Sequence, residues 1–105
     1  MSTSKNSNRW SGTAEVVPRE GNMSLSVATG AYVAVVCLAP TESAFRARIE
    51  RAMNALEFDL IHLEDVRQLR SHLDAANLDS VLRDRLKTLR DDNPVEVGSF
   101  HAFFD

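Results

Sequence analysis

The sequence predicts a small α/β protein of the α+β type, because a valine-rich buried strand is followed directly by a one-sided amphipathic helix. The strand is the apolar run Ala31–Ala39, which is too short to cross a bilayer and too rich in valine for a surface helix. A chain of 105 residues with 44% hydrophobic and 26% charged residues has the size and composition of one globular domain. We expect this domain to span residues 23–105.

Residues 1–22 are predicted to form a flexible polar N-terminal segment. They are mostly polar and lack a regular apolar period, with Trp10 as the large exception. Within them, Thr13–Val17 is a candidate short strand that ends at Pro18. Just after them, Met23–Val27 alternates apolar and polar residues, as a half-buried edge strand does.

The segment after Pro40 has the pattern of an N-capped amphipathic helix. Thr41 is the expected N-cap, and Glu42 follows in the first turn, where the helix dipole favours an anion. The apolar stripe expected to face the core contains Phe45, Ile49, Ala52, Met53 and Leu56.

The second half of the chain carries two further strand patterns separated by helical spacing. Phe58–Asp65 and Val95–Phe104 are the expected strands, the latter with a bulge candidate at Gly98. Residues 66–76 fit a short helix, and the alternative is a strand. A second helix is expected to begin after Asn77 and to end at residues 91–93, because Pro94 disfavours a helical residue before it.

The two main helices each carry one apolar stripe, so each must cover a face of the sheet. If both cover the same face, the protein is a two-layer, ferredoxin-like sandwich with one sheet face open. Such an open face needs a partner or a ligand. We therefore expect the functional surface on the side of the sheet opposite the helices.

Side chains alternate between the two faces of a strand, which divides the candidate residues into two sets. The more apolar set is expected under the helices: Ile61, Leu63, Phe100 and Phe104. The other set is expected on the open face and supplies most of the candidate binding residues: Tyr32, His62, Glu64, His101 and Phe103. A bulge at Gly98 would invert half of the last strand.

Arg85 is a further candidate because it falls inside the apolar stripe of the second helix. Its side chain is expected to extend past the leucines to solvent or to pair with a carboxylate such as Asp59 or Asp65. An arginine that binds an anion or a partner is the alternative. Cys37, the one cysteine, is expected to be a core residue of a protein in a reducing compartment.

The composition and the motifs narrow the function without identifying it. The net charge of −3 argues against a nucleic-acid partner. No signal peptide or membrane segment is expected, so the predicted location is cytoplasmic. No glycine-rich phosphate loop, CxxC pair, HExxH helix or nucleophile elbow occurs. Hence no catalytic residues, metal or cofactor are predicted.

Three hypotheses remain at this point. The leading hypothesis is a protein-interaction module of the inhibitor, immunity or regulatory type, which forms a homodimer or binds a partner protein through the open sheet face or a strand edge. The alternative is a small-ligand-binding protein with a pocket on the same face, where Trp10 or Tyr32 supplies stacking surface. An enzyme that uses His62, Glu64 and His101 ranks last.

Overall fold

The fold is a four-stranded antiparallel sheet with two helices, in a computed structural model that describes residues 8–20, 29–70, 78 and 80–103. This confirms the α+β class. The elements in chain order are β1 (Asn8–Pro18), β2 (Gly30–Ala39), α1 (Glu42–Ala55), β3 (Phe58–Leu69), α2 (Ser80–Leu86) and β4 (Val95–Phe103).

The strand order is β3-β1-β2-β4, and all neighbouring pairs are antiparallel. Strands β2 and β3 therefore run parallel to each other, with β1 between them and α1 as their connection. The element order opens with the β1–β2 pair, whereas a ferredoxin-like fold opens with a strand–helix–strand unit. The ferredoxin-like expectation is thus not met.

The two helices lie against opposite faces of the sheet, which corrects the expectation that they share one. Odd-numbered residues of β2 pack in the cluster that contains Phe45 and Ile49 of α1. Val36 of β2 packs instead in a second cluster, with Leu82 of α2. Because β2 is apolar on both sides, each of its faces requires a cover. We refer to these as the α1 face and the α2 face, and to the two clusters as the α1 cluster and the α2 cluster.

Strand β1 is an interior strand that contains the candidate strand Thr13–Val17 and ends at Pro18, although the sequence analysis placed it in a segment expected to be flexible. It pairs with β2 from Asn8 to Val16 and with β3 from Arg9 to Pro18. Its α1 face carries Trp10, Ala14 and Val16, which pack in the α1 cluster. Because the Ala14 side chain is small, the alternation of apolar and polar residues that marks a strand is weak in this part of the sequence. The strand candidate at residues 23–27 lies outside the described residues.

Helix α1 forms where its sequence predicts, but Leu56, expected in the core-facing stripe, is the C-cap and is exposed. The Ala44 N–H donates to Oγ1 of Thr41 at 3.1 Å, so Thr41 is the N-cap. Phe45, Ile49 and Met53 are fully buried. The indole of Trp10 stacks on Phe45 with ring centroids 6.1 Å apart, and its Nε1–H donates to the Ala39 carbonyl at 2.9 Å. These contacts fasten the N-terminal strand to the core.

Strand β3 continues to Leu69, so the expected helix over 66–76 is wrong for its first four residues. Leu69 pairs with Arg9 and Gln68 with Trp10, and this backbone pairing prevails over the helical spacing of Val66 and Leu69. Residues 71–77 lie outside the described part of the chain.

Helix α2 is shorter than its leucine stripe indicates. It ends at Leu86, and the Thr88 hydroxyl then donates to the Arg85 carbonyl at 2.7 Å. Leu89 remains buried without being helical. The chain reverses through Arg90 and Asn93, whose backbone groups bond to each other, before β4 begins.

Candidate functional site

Four side chains form a row across the α2 face of the sheet. His62 of β3 lies opposite Glu15 of β1, Glu15 opposite Tyr32 of β2, and Tyr32 opposite His101 of β4. Directly opposed residues in an antiparallel sheet have their Cβ atoms about 5 Å apart. The row therefore runs without interruption from one edge strand to the other.

Phe103 lies beside this row and contacts Tyr32. The two ring centroids are 5.3 Å apart, and the planes are tilted by 39°. Phe103 pairs with Gly30, where an added Cβ would collide with the Phe103 ring. Tyr32 keeps 44% of its surface exposed. An aromatic pair of this kind supplies large contact area.

The sheet register thus places five of the six candidate residues on one face: Tyr32, His62, Glu64, His101 and Phe103. They lie toward the end of the sheet where β1 ends and β2 begins. This face is not the open face that the sequence analysis expected, because helix α2 contacts its other part through Leu82. We call this group of five, together with Glu15, the sheet patch.

Two bulges change the expected face assignment. The register of β2 with β4 shifts between Val33 and Val35, so Val95 and Val97 point to the α1 face while His101 and Phe103 point to the α2 face. The register of β1 with β3 shifts beside Ile61, which is 46% exposed instead of facing the core. The expected core residues that do pack in the α1 cluster are Leu63 and Phe100. Phe104 lies outside the described residues.

Arg85, the sixth candidate, is not part of the sheet patch. Its Nη1 donates to the Val97 carbonyl at 2.6 Å, in the first half of β4. Of the alternatives offered for Arg85, the pairing with Asp59 is wrong, because Asp59 pairs with Arg19, Nε to Oδ1 at 3.0 Å. Asp65 occupies a left-handed conformation at φ 54° in β3, on the opposite edge of the sheet from β4. Arg85 therefore covers a backbone oxygen of an edge strand.

The two histidines of the enzyme hypothesis lie far apart in the sheet. His62 and His101 lie on the two edge strands with β1 and β2 between them, so their backbones are about 14 Å apart at the usual strand spacing. Among the residues that the structure describes, no group of three or more His, Cys, Asp or Glu is arranged to hold a metal ion. The two histidines are too far apart to act on one reacting atom.

Cys37 is the buried thiol of the chain, and its surroundings keep it unreactive. Its side chain is fully buried in the α1 cluster. Burial raises the pKa of the thiol to about 11, although the nearby Arg48 acts in the opposite direction. At neutral pH the group is a protonated thiol and packs as a small apolar residue.

Trp10 cannot supply stacking surface for a pocket on the sheet patch. Its ring lies on the α1 face, against Phe45, whereas Tyr32 lies on the α2 face. Glu15, in contrast, is a central member of the row that the sequence analysis did not select. The alternation within Thr13–Val17 was the pattern that could have identified Glu15. It indicates a position on a sheet face only if β1 is known to be an interior strand.

The two edges of the sheet differ in how they are protected. Edge strand β3 is protected by two bulges and several charged residues. One of its carbonyls is also occupied, since Nη1 of Arg46 donates to the Leu63 oxygen at 3.3 Å. The last part of β4, Phe100–Phe103, has no acidic residue, lysine or proline. The Phe103 carbonyl accepts the Thr29 N–H beside β2. Since backbone groups alternate, Phe100 and Ala102 direct their carbonyls to the outer edge.

Comparison with known proteins adds no family assignment: no protein-family model, curated protein or solved structure matches the chain. Within residues 8–20, 29–70, 78 and 80–103, no helix has the length and apolar character needed to span a membrane.

Proposed function

We propose that the protein is an interaction module that forms a homodimer, by pairing the last part of β4 with the same segment of another copy. The single observation that carries this proposal is the uncharged, regular outer edge at Phe100–Phe103, on a sheet whose other edge is protected. Natural proteins usually protect exposed edges with charges, prolines and bulges. An edge without these features is suited to a pairing strand.

A second copy is the occupant that fits this edge best. A two-fold axis through an antiparallel β4–β4 pair places each residue opposite a residue of the same segment. Opposed like charges destabilise such pairs. Phe100–Phe103 contains no permanent charge, whereas Asp59, Asp65 and Arg67 make the β3 edge unsuitable for pairing with itself.

The sheet patch supports the same mode of association. His101 and Phe103 stand on β4, and Tyr32 stands on the next strand. Pairing of two β4 edges joins the two patches into one continuous face, with the exposed Tyr32 and the half-buried Phe103 on each side of the axis. Aromatic residues are enriched in protein interfaces because they bring large contact area.

The test combines the molecular mass of the protein in solution with the hydrogen exchange of the β4 backbone amides. Light scattering after size exclusion should give the dimer mass at tens of micromolar. The Phe100 and Ala102 amides should exchange more slowly as protein concentration rises, because they point to the outer edge. Strictly monomeric protein at tens of micromolar overturns the proposal.

Two substitutions of Ala102 test whether the dimer contact lies at the β4 edge. Ala102→Pro removes an outward N–H without removing a bond to β2, and Ala102→Lys places a charge on the edge. Both should yield monomers that remain folded. Ile61→Lys on the β3 edge is the matched control and should leave the dimer intact. A dimer that survives both Ala102 variants but is lost with Ile61→Lys would assign the contact to the wrong edge and overturn the proposal.

A further inference from the structure

A cleft with an apolar floor and an arginine rim lies where β1 begins and β3 ends. Its volume is about 670 Å³, which falls within the range of roughly 300–1,000 Å³ that small-molecule pockets occupy. Leu38, Leu69 and Leu89 line it, and the last two are 9% exposed because they belong to the α2 cluster. We call these three residues the leucine floor.

Arg9 brings a positive charge directly onto this floor. In the sheet register it lies opposite Leu38 on one side and opposite Leu69 on the other. Its side chain therefore leaves the α2 face between two leucines. Arg9 is exposed, so an anion in the cleft can reach its guanidinium while the start of the side chain lies beside the leucines.

Two further arginines complete the rim from different segments. Arg70 follows the last residue of β3, and its Nη2 donates to Oε1 of Gln68 at 3.4 Å. Arg90 is held by a tight turn in which its N–H donates to the Asn93 carbonyl at 3.2 Å and its carbonyl accepts the Asn93 N–H at 2.9 Å. The three cations thus come from elements that the fold brings together.

Arginines outnumber acidic residues in the described lining of the cleft. Asp91 is one carboxylate among the lining residues, so the lining keeps a net positive charge. Arg90 Nε lies 3.3 Å from Oδ1 of Asp92, but the two side chains are 73% and 78% exposed. An exposed pair of this kind contributes little and exchanges readily for another anion.

From this arrangement we infer that the cleft binds a small organic anion, in which a carboxylate or phosphate is attached to an apolar group. The acid group bonds to the guanidinium groups of Arg9 and Arg90, whose planar donors match carboxylate and phosphate oxygens. The apolar group covers the leucine floor. An inorganic anion uses only the rim, and a neutral hydrocarbon uses only the floor.

This site is separate from the proposed dimer contact. Arg9 and Glu15 lie six residues apart on β1, which corresponds to about 20 Å along the strand. None of the cleft residues belongs to Phe100–Phe103. Binding in the cleft and pairing of β4 edges can therefore succeed or fail independently.

The probe is 1-naphthyl phosphate, compared with inorganic phosphate and 1-naphthol by calorimetry and by methyl NMR. The naphthyl phosphate should bind roughly tenfold or more tightly than either half alone, since only it uses both rim and floor. The methyl signals of the leucine floor should shift. 1-Naphthoate in place of the phosphate identifies the preferred acid group. Equal affinity for 1-naphthol overturns the inference.

Matched variants test the rim and the floor separately. Arg9→Gln and Arg90→Gln should each weaken naphthyl phosphate binding by roughly tenfold or more, while unfolding temperature stays unchanged because both residues are exposed. Leu38→Ala should weaken naphthyl phosphate but not inorganic phosphate. Arg51→Gln, on α1 across the sheet, is the control and should bind as the wild type does. An equal loss with Arg51→Gln indicates a diffuse charge effect and overturns the inference.

Discussion

The Phe103 ring lies across Gly30, at a point where any side chain on Gly30 would occupy the same space. The ring reaches Tyr32 only because this space is empty. Glycine is therefore required here for a close approach between two strands, and the Tyr32–Phe103 pair depends on it.

Gly30→Ala should destabilise the protein by about 1–3 kcal/mol, because the added methyl group overpacks the site and displaces Phe103. Chemical denaturation measures the loss, and the nuclear Overhauser contact between Tyr32 and Phe103 should disappear. Phe103→Leu provides the second arm of a double-mutant cycle. If Gly30→Ala costs as much in the Phe103→Leu background as in the wild type, the ring is not the cause.

Trp10→Ala should destabilise the protein by about 3 kcal/mol, since it removes both the stacking on Phe45 and the bond to the Ala39 carbonyl. Trp10→Phe keeps the aromatic contact and should cost about 1 kcal/mol. Urea denaturation followed by circular dichroism measures both. A loss below about 0.5 kcal/mol for Trp10→Ala would mean that β1 is not part of the cooperative fold.

Thr41→Ala should cost about 1 kcal/mol, because it removes the oxygen that accepts the Ala44 N–H. Ser43→Ala, two residues along the chain, removes the same kind of hydroxyl without touching the cap. We expect Ser43→Ala to change the free energy of unfolding by less than about 0.5 kcal/mol, as measured by urea denaturation. Equal effects of the two substitutions would exclude Thr41 as the cap.

The stability of the protein should fall at alkaline pH because of Cys37. Burial raises the pKa of its thiol from the ordinary value of 9.0 to about 11, so the unfolded chain loses this proton first. The contribution of the Cys37 thiol to the free energy of unfolding is fully present below about pH 9 and is lost as the pH rises through 11. The loss approaches about 2–3 kcal/mol, at about 1.4 kcal/mol per pKa unit.

Comparison with Cys37→Ala isolates this contribution from the other groups that titrate between about pH 9 and 11. The variant has a lower stability at about pH 8, because the smaller side chain leaves space in the core. Its free energy of unfolding should nevertheless fall less between about pH 8 and pH 10.5 than that of the wild type. Parallel pH profiles would contradict the assignment to Cys37.

Local pattern was enough to predict several elements. The apolar run Ala31–Ala39 indicated an interior strand buried on both faces, and β2 is that strand. The Thr41 cap and the Phe45, Ile49 and Met53 stripe indicated α1. These predictions succeed because capping and one-sided burial depend on residues within a few positions of each other.

Other features depended on pairing between distant segments. Strand β1 is interior because β2 and β3 both pair with it, and β3 extends to Leu69 because its backbone bonds to β1. The bulges moved Val95, Val97 and Ile61 away from their expected faces. A bulge changes side-chain parity without any clear mark in the sequence.

By itself, the sequence determined the α+β class, the central strand and the capped helix, and it predicted that His62, Glu64 and His101 share a face with Tyr32 but missed Glu15. Only the tertiary structure decided that the helices lie on opposite faces, that β4 offers an outer edge and that Arg9, Arg70 and Arg90 surround one cleft. The physical reason is the distance along the chain over which each kind of interaction acts. Helical periodicity and capping act over a few residues, whereas sheet order and cleft formation require contacts between segments far apart in the chain.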